Sequence, residues 1–298
     1  MQVRKATSGM QQSANFIIMV YILTFITTAF IVFTLSSQAQ AQIDTIKNKT
    51  SSSNSTIQVE TYQTYSKPFG LTYSEWTAKW WQWAYSIPKD INPSYDDTGK
   101  YCSKGQNGPV WFLTGAYNHS VDRYCSIPAG KSILFTILNS ECSFAEFPKL
   151  KTQQDLRRCS KEMQDAVIHF EASIDGINIK DLGQYRIQSP LFNFTLPKNN
   201  ILALPPQTTQ AVSDGNWVFL KSLPIGEHII HFKGGLKSIN VNAAATAKTN
   251  TNVTNYNFAG PYGWDYPVTY HLAITKDKDA TTTSGPYPSS YNQTVPQK

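Results

Sequence analysis

The sequence predicts a mainly β domain, an antiparallel β-sandwich of jelly-roll or immunoglobulin-like type with two accessory helices, preceded by an N-terminal hydrophobic signal or anchor helix. Short strand-like segments separated by turn residues recur through residues 68–275, which is the pattern of a sandwich. All four cysteines lie between positions 102 and 159, and an even, clustered number is typical of disulfide-bonded exported domains.

Segment 1–41 has the order of a secretory signal. Arg4 and Lys5 precede an uncharged apolar run over residues 16–35, and the small-residue site Ala39-Gln40-Ala41 follows. The run is about 20 residues long and therefore able to span a bilayer as a helix, so the segment is predicted to be a cleaved signal peptide or a retained membrane anchor. Positive charge stays on the cytoplasmic side, so the rest of the chain is expected to be secreted or anchored to the outer face of the cytoplasmic membrane.

The charge balance excludes one class of partner. Lys and Arg number 26 against 20 Asp and Glu, which gives a formal net charge of +6, and these charges are scattered along the chain. The sequence has no basic stripe of the kind that neutralises phosphates, so nucleic acid is not an expected partner. Aromatic residues make up 13% of the chain, which is enough to fill a sizeable core.

Three polar segments frame or interrupt the predicted domain. Residues 42–67, rich in Ser, Thr and Asn, are predicted to be a flexible polar stalk, and residues 276–298 a disordered tail. Residues 236–262 stand between two strand-like segments and are predicted to be a surface insertion. Residues 68–275, which carry that insertion, have the length of one domain.

Alternation of apolar and polar residues predicts the strands. In residues 166–174, every second residue from Ile168 to Ile174 is apolar, and this face is expected to be buried. Asp175-Gly176 then has the composition of a two-residue hairpin turn. Further strands are predicted at residues 109–115, 122–127, 132–138, 185–188, 191–196, 217–220, 228–232 and 268–274.

Two helices interrupt the strand pattern. Thr72, with Glu75 three residues later, has the spacing of a capping box, and a helix is predicted from there to about Tyr85. The tryptophans at positions 76, 80 and 83 share one face of this helix, which is expected to pack in the core. A more polar helix is predicted over residues 152–165, at the surface and held by a disulfide through Cys159.

The cysteines and the Asn-x-Ser/Thr triplets carry predictions for an exported chain. Four cysteines allow three connectivities, and the preferred one joins Cys102 to Cys125 and Cys142 to Cys159, because each pair closes a short loop. A zinc site is the weaker alternative, since the chain has no Cys-x-x-Cys pair. The candidate glycosylation sites are Asn48, Asn54, Asn118, Asn193, Asn252 and Asn292.

Four residues are candidates for ligand binding. Trp81 lies beside the main tryptophan stripe and is expected to be the most exposed tryptophan of its helix, and Tyr85 extends the same arc. Glu141 and Glu146 bracket a loop, and Asp214 begins an Asp-Gly pair that is expected to form a turn before a strand. The predicted ligand site comprises Trp81, Tyr85, Glu141 and Asp214, although a tryptophan stripe at helical spacing is more often core.

The histidines are the candidate metal ligands. His228 and His231 are three residues apart on a predicted strand, so they point to opposite faces and do not readily share one ion. His231 and His271 are expected to be neighbours if their strands pair, and together they are the candidate site for a single transition metal; otherwise no cofactor is predicted. A third ligand would come from Asp214, Glu227 or Glu141.

Seven sequence stretches spread over residues 70–275 are together specific. They are EWxxxWWQWA at 75–84, GPVWFL at 108–113, CxIPAGK at 125–131, YRxQSP at 185–190, DGxW at 214–217, PxGEH at 224–228 and VTYHL at 268–272. In these stretches the chain resembles a family of exported prokaryotic β-rich proteins whose function is uncharacterised. The resemblance implies export and a single β-rich domain, and it implies no mechanism.

The expected function is that of a cell-surface-associated binding or structural module. Export, aromatic content and the polar stalk favour glycan or another envelope component as the partner, and membrane contact is expected only through residues 16–35 if they are not cleaved. The sequence has no Gly-x-Ser-x-Gly elbow and no histidine-flanked cysteine. The alternative is a secreted hydrolase that uses His231 and His271 with a metal, or a pair of carboxyl groups.

Overall fold

Strand-like and helix-like segments of the sequence form ten strands and two α-helices in a computed structural model that describes residues 59–116, 119–236 and 266–276, together with Gln42. The strands are β1 (Val110–Leu113), β2 (Val121–Pro128), β3 (Ser132–Ser143), β4 (Val167–Ile174), β5 (Ile177–Asn178), β6 (Arg186–Gln188), β7 (Phe192–Leu196), β8 (Gln207–Leu220), β9 (Gly226–Leu236) and β10 (Val268–Thr275). The helices are α1 (Tyr73–Ser86) and α2 (Gln153–Gln164), with 3₁₀ helices at Pro68–Gly70, Lys89–Ile91, Pro93–Tyr95 and Leu182–Tyr185.

The strands form two mixed sheets. The first sheet has the order β1-β3-β8-β6, with β7 also paired to β8, and the second has the order β2-β10-β9-β4-β5. β1 with β3 and β2 with β10 are parallel pairs, so the prediction of purely antiparallel sheets is wrong at these two places. For the first pair, the reason is that β2, which lies between β1 and β3 in the chain, belongs to the second sheet. The chain therefore re-enters the first sheet as β3 in the same direction as β1.

The two sheets share an apolar core. Ile133 and Phe135 of β3 face Phe232 of β9 and Tyr270 of β10, and the rings of Phe135 and Phe232 are 4.9 Å apart. The mainly β prediction is confirmed, and so is the Asp175-Gly176 turn, which joins β4 to β5 with positive φ at both residues. Those φ values suit the turn because they match the twist of a two-stranded hairpin.

Helix α1 covers the other face of the first sheet, and its tryptophan stripe is buried in the core as predicted. The Thr72 hydroxyl accepts a hydrogen bond from Glu75 N, and the Glu75 carboxylate accepts one from Thr72 N, which completes the capping box. The side chains of Trp76, Trp80 and Trp83 are buried against this sheet, and each indole N–H donates to a backbone carbonyl. Burial of such a ring contributes roughly 3 kcal/mol, so α1 is held mainly by packing.

Both preferred disulfides are present. Cys102 is bonded to Cys125 and Cys142 to Cys159, with sequence separations of 23 and 17 residues. The second bond attaches α2 to β3. The predicted helix over residues 152–165 is confirmed, and its Leu156 side chain is buried with this disulfide.

Strand β4 departs from its predicted alternation at one end. Ala172 and Ile174 are buried as expected, but Ile168 is 66% exposed. The pairing of β4 with β9 shifts between Val167 and His169. A bulge of this kind changes which side chains face the core, so the prediction that Ile168 is buried is wrong.

The end of the predicted stalk belongs to the folded part. Thr61 forms a bridge with Leu220, Tyr62 N donates to the Phe219 carbonyl at 2.8 Å, and the rings of Tyr62 and Phe219 lie 4.8 Å apart. Residues 59–67 are therefore attached to the end of β8. Their alternation is too short to predict a strand, and the pairing depends on a partner more than 150 positions away.

Several predictions lie outside the described residues. These are the signal or anchor segment 1–41, most of the stalk, most of the insertion 236–262, almost all of the tail 276–298, and the triplets at Asn48, Asn54, Asn118, Asn252 and Asn292. Asn193 is described and is exposed on β7. Within the described part of the chain, no helix has the length and apolar character needed to cross a membrane.

Candidate functional site

Three of the four predicted ligand-binding residues lie together between α1 and the first sheet. Trp81 and Tyr85 are one helical turn apart, with ring centroids 5.0 Å apart, and the Tyr85 hydroxyl donates to Glu141 Oε2 at 2.7 Å. Glu141 is only 5% exposed. Trp81 is the least buried of the four tryptophans in α1, as predicted. We refer to Trp81, Tyr85 and Glu141 as the acid–aromatic cluster.

An irregularity in β3 places Glu141 beneath α1. Ile133 and Phe135, at the start of the strand, face the second sheet. The pairing of β3 with β8 shifts between Thr136 and Leu138, so odd-numbered residues beyond that point face α1 instead. Glu141 lies opposite Ser213 of β8, and both side chains therefore point toward the helix.

The carboxyl of Glu141 is a weaker acid than that of an ordinary glutamate. Burial is the main reason that its pKa is raised well above the ordinary 4.5, and the Glu146 carboxyl raises it further through its charge and a hydrogen bond between the two groups. Hydrogen bonds from Tyr85 and Ser143 oppose the shift. Two carboxyl groups in contact share one proton. Glycosidases keep their two carboxyl groups at least about 5 Å apart, so this pair does not provide that geometry.

Buried polar atoms without partners are concentrated on this face of the sheet. Within the described part of the chain, five such atoms lie on this face: Trp81 Nε1, Asn139 Nδ2, Glu141 Oε1, Ser213 Oγ and Trp217 Nε1. A sixth, Trp111 Nε1 of β1, lies in the core between the two sheets. The hydrogen bond between the Glu141 and Glu146 carboxyl groups accounts for Glu141, and the other four atoms on this face need a different partner. Native proteins leave few buried polar groups unpaired, so such a concentration indicates water or a ligand.

Asp214, the fourth predicted residue, does not join the cluster. It lies in the middle of β8 next to Ser213, and consecutive residues of a strand point to opposite faces. Its carboxylate accepts hydrogen bonds from Arg186 Nε at 3.1 Å and from Arg186 Nη2 at 2.9 Å. The predicted turn at Asp214-Gly215 is therefore wrong, and the carboxylate has a structural partner on the α2 side.

The strands of His231 and His271 pair, so the two histidines are neighbours on one face of the second sheet. His231 Nδ1 is 3.2 Å from the Thr269 hydroxyl, and His271 Nε2 is 3.3 Å from Asp122 Oδ1. His228 faces the opposite side of the sheet, as predicted, and its Nδ1 forms a hydrogen bond with Asp175 Oδ2 at 2.7 Å.

The acidic residues proposed as a third metal ligand lie elsewhere. Glu141 and Asp214 belong to the first sheet, and Glu227 lies four residues from His231 along β9. Four residues of a strand span about 13 Å, which is too far for a shared ion. Across residues 59–116, 119–236 and 266–276, no three His, Cys, Asp or Glu side chains are grouped to hold a metal.

The outer face of the second sheet carries an exposed aromatic pair that the sequence analysis missed. Tyr124 of β2 lies beside His271 of β10, with ring centroids 4.4 Å apart and planes within 14° of parallel, and Tyr124 is 43% exposed. A signal was present in the sequence. Cys125, held in a disulfide, fixes the inward face of β2, and Tyr124 must then point outward.

Comparison with known proteins adds little to this geometry. No family model matches the chain, and no curated protein matches it. Among solved structures, a cysteine protease inhibitor, EhICP2, from Entamoeba histolytica is similar at a TM-score of 0.19 and 10% identity, over 56% of this chain and 96% of that chain. A TM-score this low supports no conclusion about fold or function.

Proposed function

We propose that the chain is an exported, cell-surface-associated module that binds glycan or another envelope component through the outer face of its second sheet. Export is expected from segment 1–41. The two disulfides fit an extracytoplasmic location, because such bonds persist in oxidising compartments.

The exposed pair of Tyr124 and His271 carries the proposal. The stacking holds the Tyr124 ring in one orientation, so less conformational entropy is lost when a ligand covers it. An aromatic ring combines an apolar face with a polar hydroxyl at its edge. That combination suits a sugar, which presents an apolar C–H face bordered by hydroxyl groups.

Polar side chains border the aromatic pair on the same face. Asp122 lies directly opposite Thr269 in the parallel pairing, and Thr269 lies opposite His231 in the antiparallel pairing. This row provides a carboxylate, a hydroxyl and an imidazole beside one ring. Hydroxyl groups of a sugar both donate and accept hydrogen bonds, and the row offers partners for both roles.

The test is retention of the full chain on immobilised polysaccharides and on isolated envelope fractions. Tyr124→Ala is expected to weaken retention roughly tenfold or more, because truncation of an aromatic anchor removes much of the binding energy. Tyr65→Ala is the matched control, since Tyr65 is 85% exposed and lies outside the second sheet. This control is expected to be retained like the wild type.

Two results would contradict the proposal in different ways. If the wild-type chain is retained on no polysaccharide and no envelope fraction, the binding function is wrong. If Tyr124→Ala and Tyr65→Ala are retained equally, binding takes place on another surface.

A further inference from the structure

We propose that α1 and the first sheet enclose a second binding site, which takes a neutral group with an acceptor oxygen. The group is either a water molecule or a hydroxyl of a sugar, since both present the same chemistry. This site is separate from the outer face of the second sheet, and the proposal does not depend on glycan binding there.

A closed series of contacts defines the site. Trp217 of β8 packs on Trp80 at 5.4 Å between ring centroids, and Trp80 packs on Trp81 at 5.1 Å. Trp81 packs on Tyr85, whose hydroxyl bonds to Glu141. From Glu141 the series continues to its cross-strand partner Ser213 and to the next pair on the same face, Asn139 with Gly215. Gly215 lies beside the Trp217 indole, which closes the series.

Gly215 brings two of the polar groups close together. A Cβ placed on Gly215 would lie 2.6 Å from Asn139 Cβ and 2.9 Å from Trp217 Nε1, closer than real Cβ contacts allow. The absence of a side chain at this position therefore lets Asn139 and the Trp217 indole approach the same point. Glycine inside a strand often marks such a close approach.

The unpaired groups define the chemistry of the guest. Trp81 Nε1, Trp217 Nε1 and Asn139 Nδ2 are donors, and the Ser213 hydroxyl both donates and accepts. Asn139 and the Trp217 indole both lie beside Gly215, so their two N–H donors match the two lone pairs of one acceptor oxygen, whereas N–H groups are poor ligands for a cation.

The charges around the site favour a neutral guest. The contact series contains no Lys, Arg or His, and the Glu141–Glu146 pair stands on one side of it. Arg186 lies on the opposite face of β8, paired with Asp214. An anion would therefore have no balancing charge, whereas water or a sugar hydroxyl needs none.

A pair of serine variants tests the proposal in the full chain. Ser213 and Ser140 are both buried on neighbouring strands, but the Ser140 hydroxyl donates to the Ser160 carbonyl at 2.8 Å while Ser213 Oγ has no partner in the described chain. Removing a bonded hydroxyl destabilises a protein, whereas removing an unpaired buried one is neutral or stabilising. If a guest occupies the site, Ser213→Ala lowers the folding equilibrium constant about fivefold, as Ser140→Ala does. An unchanged or increased constant for Ser213→Ala, with a loss for Ser140→Ala, would overturn the proposal.

A crystal structure of the full chain, before and after soaking with glucose, galactose or N-acetylglucosamine, identifies the guest. We expect density within about 3.2 Å of Trp217 Nε1 or Asn139 Nδ2. Compact density that soaking leaves unchanged identifies water, and ring-shaped density after soaking identifies a sugar. No density beside these donors, or density for a metal or an anion, would show that the proposal is wrong.

Discussion

At the scale of single residues, Glu141 shows most directly how the fold changes a side chain. Its pKa is raised by burial and by Glu146, so between 4.5 and the raised value the native state holds a proton that the unfolded state has lost. The stability contributed by the neutral carboxyl is complete below 4.5 and is lost as the pH rises through the raised pKa. The free energy of unfolding therefore falls with increasing pH in that window.

Glu141→Gln is expected to remove this pH dependence. The amide keeps the shape of the side chain, can accept from Tyr85 and donate to Glu146, and is neutral at every pH. Denaturant unfolding across the pH range should therefore show the variant gaining stability relative to the wild type above about pH 4.5. Glu227→Gln, at an exposed position at the start of β9, is the control and should show no such trend. A pH-independent difference between Glu141→Gln and the wild type would contradict the raised pKa.

Residues of strand β2 show what alternation does and does not predict. Val121, Cys125 and Ile127 point inward, and Arg123 has the same parity, so the pattern itself places Arg123 inside. Its guanidinium is satisfied by the carbonyls of Asp96, Thr114 and Gly115 and by the Tyr270 hydroxyl. These partners lie in loops and in a strand far away in the sequence. The residues near Arg123 therefore do not predict which groups bind its guanidinium.

At the scale of secondary-structure elements, α1 was the most predictable because its signals are local. Thr72, Glu75 and the spacing of three tryptophans lie within one short segment, and the structure confirms each of them. The acid–aromatic cluster was predictable only as separate residues. Trp81 and Tyr85 share a helix, but their contact with Glu141 depends on the register shift in β3, which the sequence does not reveal.

The cap of α1 provides a prediction at this scale. Thr72→Ala removes the hydroxyl that accepts from Glu75 N and is expected to lower the free energy of unfolding by about 1 kcal/mol. Thr72→Ser keeps that hydroxyl and should restore most of the loss. Denaturant unfolding of the two variants measures the difference. Equal stability of Thr72→Ala and the wild type would mean that tryptophan packing alone fixes the start of the helix.

Strand β8 was the least predictable element. The Asp214-Gly215 pair has turn composition, yet β8 runs unbroken from Gln207 to Leu220. The glycine is explained by the crowding against Asn139 and Trp217, and the aspartate by its pairing with Arg186. Both causes are tertiary contacts. The local composition of Asp214-Gly215 favours a turn, but these contacts stabilise a continuous strand instead.

At the scale of the whole molecule, the number and type of elements followed from the sequence, whereas their connections did not. The chain passes between the sheets at β2, and this crossing makes β1 parallel to β3. β10 follows the insertion and lies between β9 and β2, which leaves β2 as an edge strand of the second sheet. Alternation within a strand is the same for parallel and antiparallel neighbours, so it carries no information on this choice.

The two disulfides hold this molecule at separate places, and their loops allow a quantitative prediction. One bond joins the segment before β1 to β2, and the other joins β3 to α2, with similar separations of 23 and 17 residues. If restriction of the unfolded chain is their main effect, the double variants Cys102→Ala/Cys125→Ala and Cys142→Ala/Cys159→Ala should each lose about 3 kcal/mol of unfolding free energy. Denaturant unfolding under oxidising conditions measures both losses. Strongly unequal losses would show instead that native packing around Leu156 and Val212, which touch only the second bond, determines how much each disulfide contributes.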